Sequence, residues 1–229
     1  MTTRSITPVW DPTIRLFHWL LVALIAFSWW SGEQHDLERH RLSGYGILAL
    51  LVFRVYWGFF GPRTARFASF VRGPGAVVAY LKALGSRKAG HADGHNPLGG
   101  WSVVAMLLAV GAMVTAGLFA SDIDMLYDGP LATYVSFDQS SAASDLHSTI
   151  FNVILALVAL HVIAVAFYLV WKRQNLVRPM ITGKRPAAPE EPTQDLRWSP
   201  VKALIGIAIA VAFAWAVSTG FQFGNAPAY

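Results

Sequence analysis

The segment that decides the fold is LHSTIFNVILALVALHVIAVAFYLVW, residues 146–171. It carries no charged residue after His147 until Lys172, and it is long enough to cross a hydrocarbon core as a helix. His147 and His161 are fourteen residues apart, close to four helical turns, so both imidazoles lie on about the same face and about 21 Å apart along the axis. In a core about 30 Å thick each ring would lie toward a different leaflet, where a polar side chain is costly unless it has a partner.

The composition places the chain among integral membrane proteins. Of its 229 residues, 55% are hydrophobic and only 14% are charged, which is unusual for a soluble domain. The absence of cysteine excludes disulfides, ordinary iron–sulfur ligation and covalent haem attachment. Tryptophans lie near the ends of apolar segments, as in the aromatic belt of membrane helices. They are Trp10, Trp29, Trp30, Trp57, Trp101, Trp171 and Trp198.

Five apolar segments are long enough, or nearly so, to cross a bilayer, and in lipid they must be helices because an isolated strand would leave its backbone unsatisfied. The predicted spans are residues 14–30, 42–60, 98–120, 146–171 and 201–217. No small-residue cleavage site follows the first, so we expect a span rather than a signal peptide. The fifth follows a proline-rich linker, residues 184–192, and carries no histidine. We therefore expect an all-α membrane protein, with a four-helix transmembrane bundle in residues 1–185, and a linker with a fifth C-terminal transmembrane helix in residues 186–229.

The charge distribution predicts the orientation. Basic residues precede the first span and fill the second-to-third and fourth-to-fifth connections. They are Arg4, Arg15, Arg63, Arg66, Arg72, Lys82, Arg87, Lys88, Lys172, Arg173, Arg178, Lys184, Arg185, Arg197 and Lys202. The other two connections carry Glu33, Asp36, Glu38, Asp122, Asp124, Asp128, Asp138 and Asp145, against only Arg39 and Arg41. The positive-inside rule predicts a bacterial inner-membrane protein with a cytoplasmic N-terminus and a periplasmic C-terminus. Because the basic residues flank spans, we expect no nucleic-acid partner.

Two short stretches of the second-to-third connection, residues 67–70 and 77–81, are apolar with basic neighbours. A short helix in the inner membrane interface and an ordinary ordered loop are equally compatible with them.

Four histidines fall into two pairs of matched depth. With the predicted topology, His18 lies near the cytoplasmic end of the first span and His40 at the outer start of the second. The fourth span runs inward, so His147 is outer and His161 inner. We expect His40 with His147 on an outer haem and His18 with His161 on an inner one, because neutral imidazole suits iron. A lone histidine at a helix end is more often an interface residue, but two matched pairs favour haem ligands. Two such ligands leave no open position for a substrate, so we expect electron transfer and no catalytic residue.

Several motifs resemble a known family, and they occur in that family's order. They are VWDPTIRLFHW at residues 9–19, RHRLSGY at 39–45, RVYWGFFG at 54–61, GHNPLGG at 94–100 and the spacing of His147 and His161. The chain resembles the bacterial di-haem cytochrome b561 family, which includes the cytochrome b subunit of membrane-bound nickel–iron hydrogenases, from Val9 to about Arg185. The resemblance implies two haems b held by His18, His40, His147 and His161. The fifth helix departs from the compact four-helix members and leaves partner and assembly open.

Two arginines are candidates for binding haem propionates. Arg15 lies three residues before His18, and Arg54 lies in the second span. An intramembrane arginine needs an anion, and a carboxylate can take a bidentate contact. The alternative is snorkelling of each side chain to the headgroups. The propionate interpretation is favoured for Arg15, and the two alternatives are even for Arg54.

The remaining histidines lie in connections. We expect His35 and His91 to lie in solvated loops. The alternative for His91 is a metal site in residues 91–95, which includes His95 but does not by itself supply a complete set of ligands. The pair His95-Asn96 lies at the mouth of the third span and is a candidate for binding a quinone carbonyl. Asn96 is more simply a helix N-cap, with Pro97 in the first position, and the role of His95 stays open.

These features predict electron transfer between the quinone pool and a periplasmic redox partner such as a c-type cytochrome, which would make the chain a quinone/quinol oxidoreductase. The acidic outer connection, residues 122–145, would attract a basic partner or simply be solvated. One alternative is a membrane anchor and electron-transfer subunit of a periplasmic hydrogenase-like enzyme. Another is a small-ion transporter that uses buried histidines. Homo- and hetero-oligomers are both compatible with the sequence.

Overall fold

The computed structural model describes residues 6–86, 94–121, 128–187 and 196–222. Five helices in this part of the chain are long and apolar enough to cross a membrane: α1 (Pro12–Glu33), α2 (Leu37–Phe60), α5 (Pro97–Phe119), α6 (Phe137–Val170) and α8 (Pro200–Ser218). The prediction of an all-α membrane protein with five spans is confirmed. Some sequence predictions fall on residues outside the described ranges: Arg4, Arg87, Lys88, His91, Asp122, Asp124, Tyr229 and most of the linker at 184–192.

Short elements lie between the long helices. They are α3 (Phe67–Phe70), α4 (Pro74–Ala83), α7 (Val177–Thr182), two single 3₁₀ turns at Arg63–Ala65 and Ala132–Tyr134, and the strands β1 (Ile6–Pro8) and β2 (Lys184–Pro186). Residues 77–81 lie within α4, so this stretch is a helix and not a loop. The strands pair antiparallel, with Thr7 opposite Arg185, and were not predicted.

Helix α6 begins nine residues before its predicted start. Ser136 and Gln139 form a reciprocal capping box, in which the Ser136 N–H donates to Gln139 Oε1 at 3.0 Å and the Gln139 N–H donates to Ser136 Oγ at 3.3 Å. The cap allows polar residues to continue the helix beyond the apolar segment. Asp138 and Asp145 therefore lie in α6, and their predicted place in an outer loop was wrong.

Three long helices begin with a polar cap followed by proline, which fits the first helical turn because it needs no N–H there. Asp11 Oδ1 accepts the N–H groups of Thr13 and Ile14 at 3.0 and 3.2 Å and so caps α1. Asn96 caps α5 by accepting the N–H of Gly99 at 2.7 Å. In α8, Ser199 occupies the same position before Pro200.

The chain divides into two compact units. The first comprises Met1–His18, Val55–Met106 and Ala156–Ala203. Its core includes Trp10 and Trp57, which are 8% and 1% exposed, so the prediction that these two belong to an aromatic belt was wrong. Trp57 Nε1 donates to Asp11 Oδ2 at 3.4 Å, and Asp11 is itself buried.

The second unit comprises Trp19–Arg54, Leu107–Leu155 and Leu204–Tyr229. Its apolar core contains Ile47, Leu51, Val110 and Ile154. Small side chains of α8, among them Ala210 and Ala214, are buried in the same unit, as expected where helices pack closely in a membrane.

Candidate functional site

His40 in α2 and His147 in α6 face each other in the second unit. Their ring centroids are 5.8 Å apart and their planes are inclined by 75°. His40 Nδ1 lies 2.8 Å from the carbonyl oxygen of Ser28, and His147 Nδ1 lies 2.8 Å from that of Met113. A carbonyl oxygen only accepts, so each Nδ1 carries the proton and each Nε2 keeps a lone pair for a metal. Metal-binding histidines are commonly oriented in this way.

A glycine makes room for each of these two rings. A Cβ on Gly32 would lie 3.1 Å from His40 Nδ1, and a Cβ on Gly117 would lie 2.9 Å from His147 Nδ1. Gly32 follows Ser28 by four residues, and Gly117 follows Met113 by four. The helix therefore pairs the N–H of each glycine with the carbonyl that the imidazole also binds. A carbonyl oxygen has two lone pairs and can accept both. The Ser28 carbonyl oxygen also accepts from the Ser31 hydroxyl at 3.1 Å.

A cavity of about 400 Å³ adjoins this pair. Both rings line it, together with apolar residues such as Val110 and Ile154 and with Gly44 and Gly117. Its volume and its mainly apolar lining with a few polar groups are typical of cofactor sites.

His18 in α1 and His161 in α6 face each other in the first unit, with ring centroids 6.5 Å apart and planes inclined by 49°. A metal–imidazole nitrogen bond is about 2 Å long, so two imidazoles on opposite sides of one metal have centroids about 6 Å apart. The centroid separations in both pairs are close to this value. The residues present in each pair therefore fit a haem iron with two histidine ligands.

The two candidate arginines have different surroundings. Arg15 Nη1 donates to the carbonyl oxygen of Ile181 at 2.5 Å, while its buried Nε has no hydrogen-bond partner among the described residues. Arg54 is 3% exposed. Arg15 thus keeps a buried donor for an anion, and the guanidinium of Arg54 is enclosed by protein.

His95 and Asn96 have separate environments in the first unit. The ring of His95 lies between Trp10 and Phe70, with both centroid distances 4.7 Å. Asn96 is the N-cap of α5, as predicted, and its Nδ2 also donates to the Tyr168 hydroxyl at 2.9 Å. The contact with Tyr168 was missed because nothing in the sequence pairs residues so far apart.

His35 is exposed in the turn between α1 and α2. Within the described ranges, no group of three or more His, Cys, Asp or Glu side chains is arranged to hold a metal ion. The metal alternative for His91 and its neighbours falls outside those ranges.

A helical membrane protein with two facing histidine pairs, each spaced for one iron, has the features of a membrane cytochrome b. The prokaryotic cytochrome b561 family model matches residues 9–183, and the chain belongs to this family. Membership implies haem b binding, transmembrane electron transfer and a multi-pass membrane location. No curated protein and no solved structure matched the sequence significantly.

Proposed function

We propose that this cytochrome carries electrons across the bacterial inner membrane, between the quinone pool and a periplasmic redox partner such as a c-type cytochrome, by means of two haems b. The two facing histidine pairs carry this proposal, because their centroid separations of 5.8 and 6.5 Å suit two irons. A bound haem supplies an iron that alternates between ferric and ferrous states.

His40 and His147 hold one haem, and His18 and His161 hold the other. Hydrogen bonds from Nδ1 to backbone carbonyls support this assignment for the first pair, since they direct Nε2 toward the iron. Each pair would supply two imidazole ligands to its haem iron, which would leave no place for a substrate on the metal and favours electron transfer over bond chemistry.

Arg15 and Arg54 bind haem propionates. The buried, unsatisfied Nε of Arg15 supports its role. For Arg54, an exposure of only 3% argues against snorkelling, because a side chain that reaches the headgroups would be exposed at its end. A buried guanidinium is best balanced by a carboxylate.

The distribution of Lys and Arg supports a cytoplasmic N-terminus and a periplasmic C-terminus. In this orientation His18 and His161 are the inner pair, and the quinone site lies beside them near His95 and Asn96. His40 and His147 are the outer pair, which exchanges electrons with the periplasmic partner. Residues 1–185 form the haem-binding bundle, and residues 186–229 add the fifth span.

A pyridine haemochrome assay on the purified protein tests the proposal. We expect about two haems b per chain and low-spin spectra, and we expect quinol to reduce both haems. One haem per chain, or none, would contradict the ligand assignment. Co-purification of a large redox enzyme would instead favour the alternative of a membrane anchor for a hydrogenase-like complex.

A further inference from the structure

Three side chains in the first unit form a hydrogen-bonded group that takes no part in either histidine pair. Tyr80 belongs to α4, Tyr168 to α6, and Asn96 caps α5. The two tyrosine hydroxyls are hydrogen-bonded to each other, and Asn96 Nδ2 donates to the Tyr168 hydroxyl at 2.9 Å. Tyr168 is 8% exposed. These three residues are the tyrosine network.

The hydrogen bonds of the tyrosine network leave one donor unused. Asn96 Oδ1 accepts the N–H of Gly99, so the amide orientation is fixed and Nδ2 faces Tyr168. The Tyr168 oxygen accepts from Asn96, and the two hydroxyl hydrogens of the tyrosines remain to be placed. One of them forms the bond between the rings, whichever ring donates. The other has no acceptor among the residues that the structure describes.

Tyr168, the member of the tyrosine network that belongs to α6, lies on the same face of that helix as His161. Seven residues separate His161 from Tyr168, so the two lie close to two turns, or about 10 Å, apart along the helix. Apolar residues that neighbour Tyr80 and Tyr168 in sequence are exposed: Val78 at 50%, Leu81 at 46% and Leu169 at 47%. In a membrane protein such side chains contact lipid, so a ligand that reaches the network from the lipid has an apolar body. The unused hydroxyl calls for an oxygen acceptor on that ligand. A quinone has both.

We propose that the tyrosine network donates its unused hydroxyl hydrogen to a carbonyl oxygen of the quinone ring. The inference rests on the proposed function and identifies the residues that hold the quinone headgroup. Tyr168 contacts both other members and is the central residue. The amide groups of Asn96 are both engaged within the protein, so Asn96 orients Tyr168 and does not itself touch the quinone.

The first test measures binding of decylubiquinone and menadione to the purified, haem-loaded protein by quenching of tryptophan fluorescence. The double variant Tyr80→Phe/Tyr168→Phe removes both hydroxyls, because either tyrosine alone would keep a free hydroxyl hydrogen. It should raise the Kd roughly two- to tenfold, as expected for the loss of one hydrogen bond, and should leave the haem spectrum unchanged. Tyr56→Phe is the matched control, because Tyr56 stacks on Phe60 in the same unit, at 4.9 Å, and its hydroxyl makes no hydrogen bond within the described ranges. Its Kd should equal that of the wild type.

The second variant, Asn96→Asp, separates ligand recognition from structural support. Aspartate caps a helix as well as asparagine, but its carboxylate accepts where the amide donated, so it takes up the unused hydroxyl hydrogen. We expect a normal haem spectrum and a Kd raised about as much as in the double variant. Asn96→Asp also keeps the proposal testable if the double variant does not fold.

The two levels of the proposal fail in different ways. Wild-type affinity in both Tyr80→Phe/Tyr168→Phe and Asn96→Asp would overturn the role of the tyrosine network. Reduction of wild-type haems by decylubiquinol or menadiol would still leave the proposed function standing. If neither quinol reduces the wild-type haems and neither quinone binds saturably, the proposed function itself is wrong.

Discussion

Gly117→Ala would place a methyl group in space that the structure reserves for His147. The new Cβ would lie 2.9 Å from Nδ1 and 3.0 Å from Cε1 of the ring, whereas non-bonded carbons prefer about 3.5 Å or more. The imidazole must therefore move by about half an ångström. Its 2.8 Å hydrogen bond to the carbonyl of Met113 is weakened or lost.

The stability of the protein should change little, because two effects nearly cancel. Alanine is favoured over glycine in a helix by about 1 kcal/mol, and the lost hydrogen bond costs about 0.5–1.5 kcal/mol. The effect should appear at the haem instead. An imidazole that donates to a carbonyl is a more basic ligand and stabilises ferric iron. Loss of the hydrogen bond between His147 and Met113 should therefore raise the reduction potential of that one haem by tens of millivolts, up to about 60 mV for 1.4 kcal/mol.

Redox titration of the purified protein, following the reduced haem absorbance, measures both potentials. Gly111→Ala is the matched control, since Gly111 lies on the same helix and a Cβ there meets no described atom within 4 Å. The control should keep both potentials and gain up to about 1 kcal/mol of stability. Wild-type potentials in Gly117→Ala, with two haems per chain, would refute the position assigned to the His147 ring.

Three further predictions concern the other parts of the chain. Substituting alanine for His40 or for His147 should remove the same haem and spare the second one, as measured by haemochrome assay and spectrum; different residual spectra would disprove the pairing. Ser136→Ala should remove the capping box at the start of α6 and lower stability by about 1 kcal/mol, seen as a lower thermal midpoint with an unchanged haem spectrum. A reporter fused after Tyr229 should be active in the periplasm, and cytoplasmic activity there would mean that α8 does not cross the membrane.

Hydropathy and histidine spacing predict the spans and the histidines that face each other, because both follow from helix geometry and the cost of burying polar groups in lipid. They do not predict where α6 begins. Transfer to lipid favours only the apolar segment, whereas the helix starts at a capping box in polar sequence. The signal was present as Ser136-x-x-Gln139, but hydropathy does not detect it.

Other features had no signal that a single sequence could carry. The hydroxyls of Tyr80 and Tyr168 meet across 88 residues, and no local pattern pairs two tyrosines at such a distance. The strands β1 and β2 are three residues each, too short for an alternating pattern. Trp57 is buried with its indole N–H bonded to the carboxylate of Asp11, a partner that a buried indole needs and that lies 46 residues away in the sequence.

The acceptors of the His40–His147 pair are backbone carbonyls, which every residue has, so no side chain marks them in the sequence. The sequence feature that accompanies these carbonyls is a glycine four residues further along the helix. An imidazole that shares a helical carbonyl at position i must pass over position i+4, where a Cβ would block it, and glycine stands at that position twice, as Gly32 after Ser28 and Gly117 after Met113. Small residues in membrane helices are usually attributed to close helix packing. Here both glycines admit a histidine ring instead, so their substitution should disturb the histidine before it disturbs the fold.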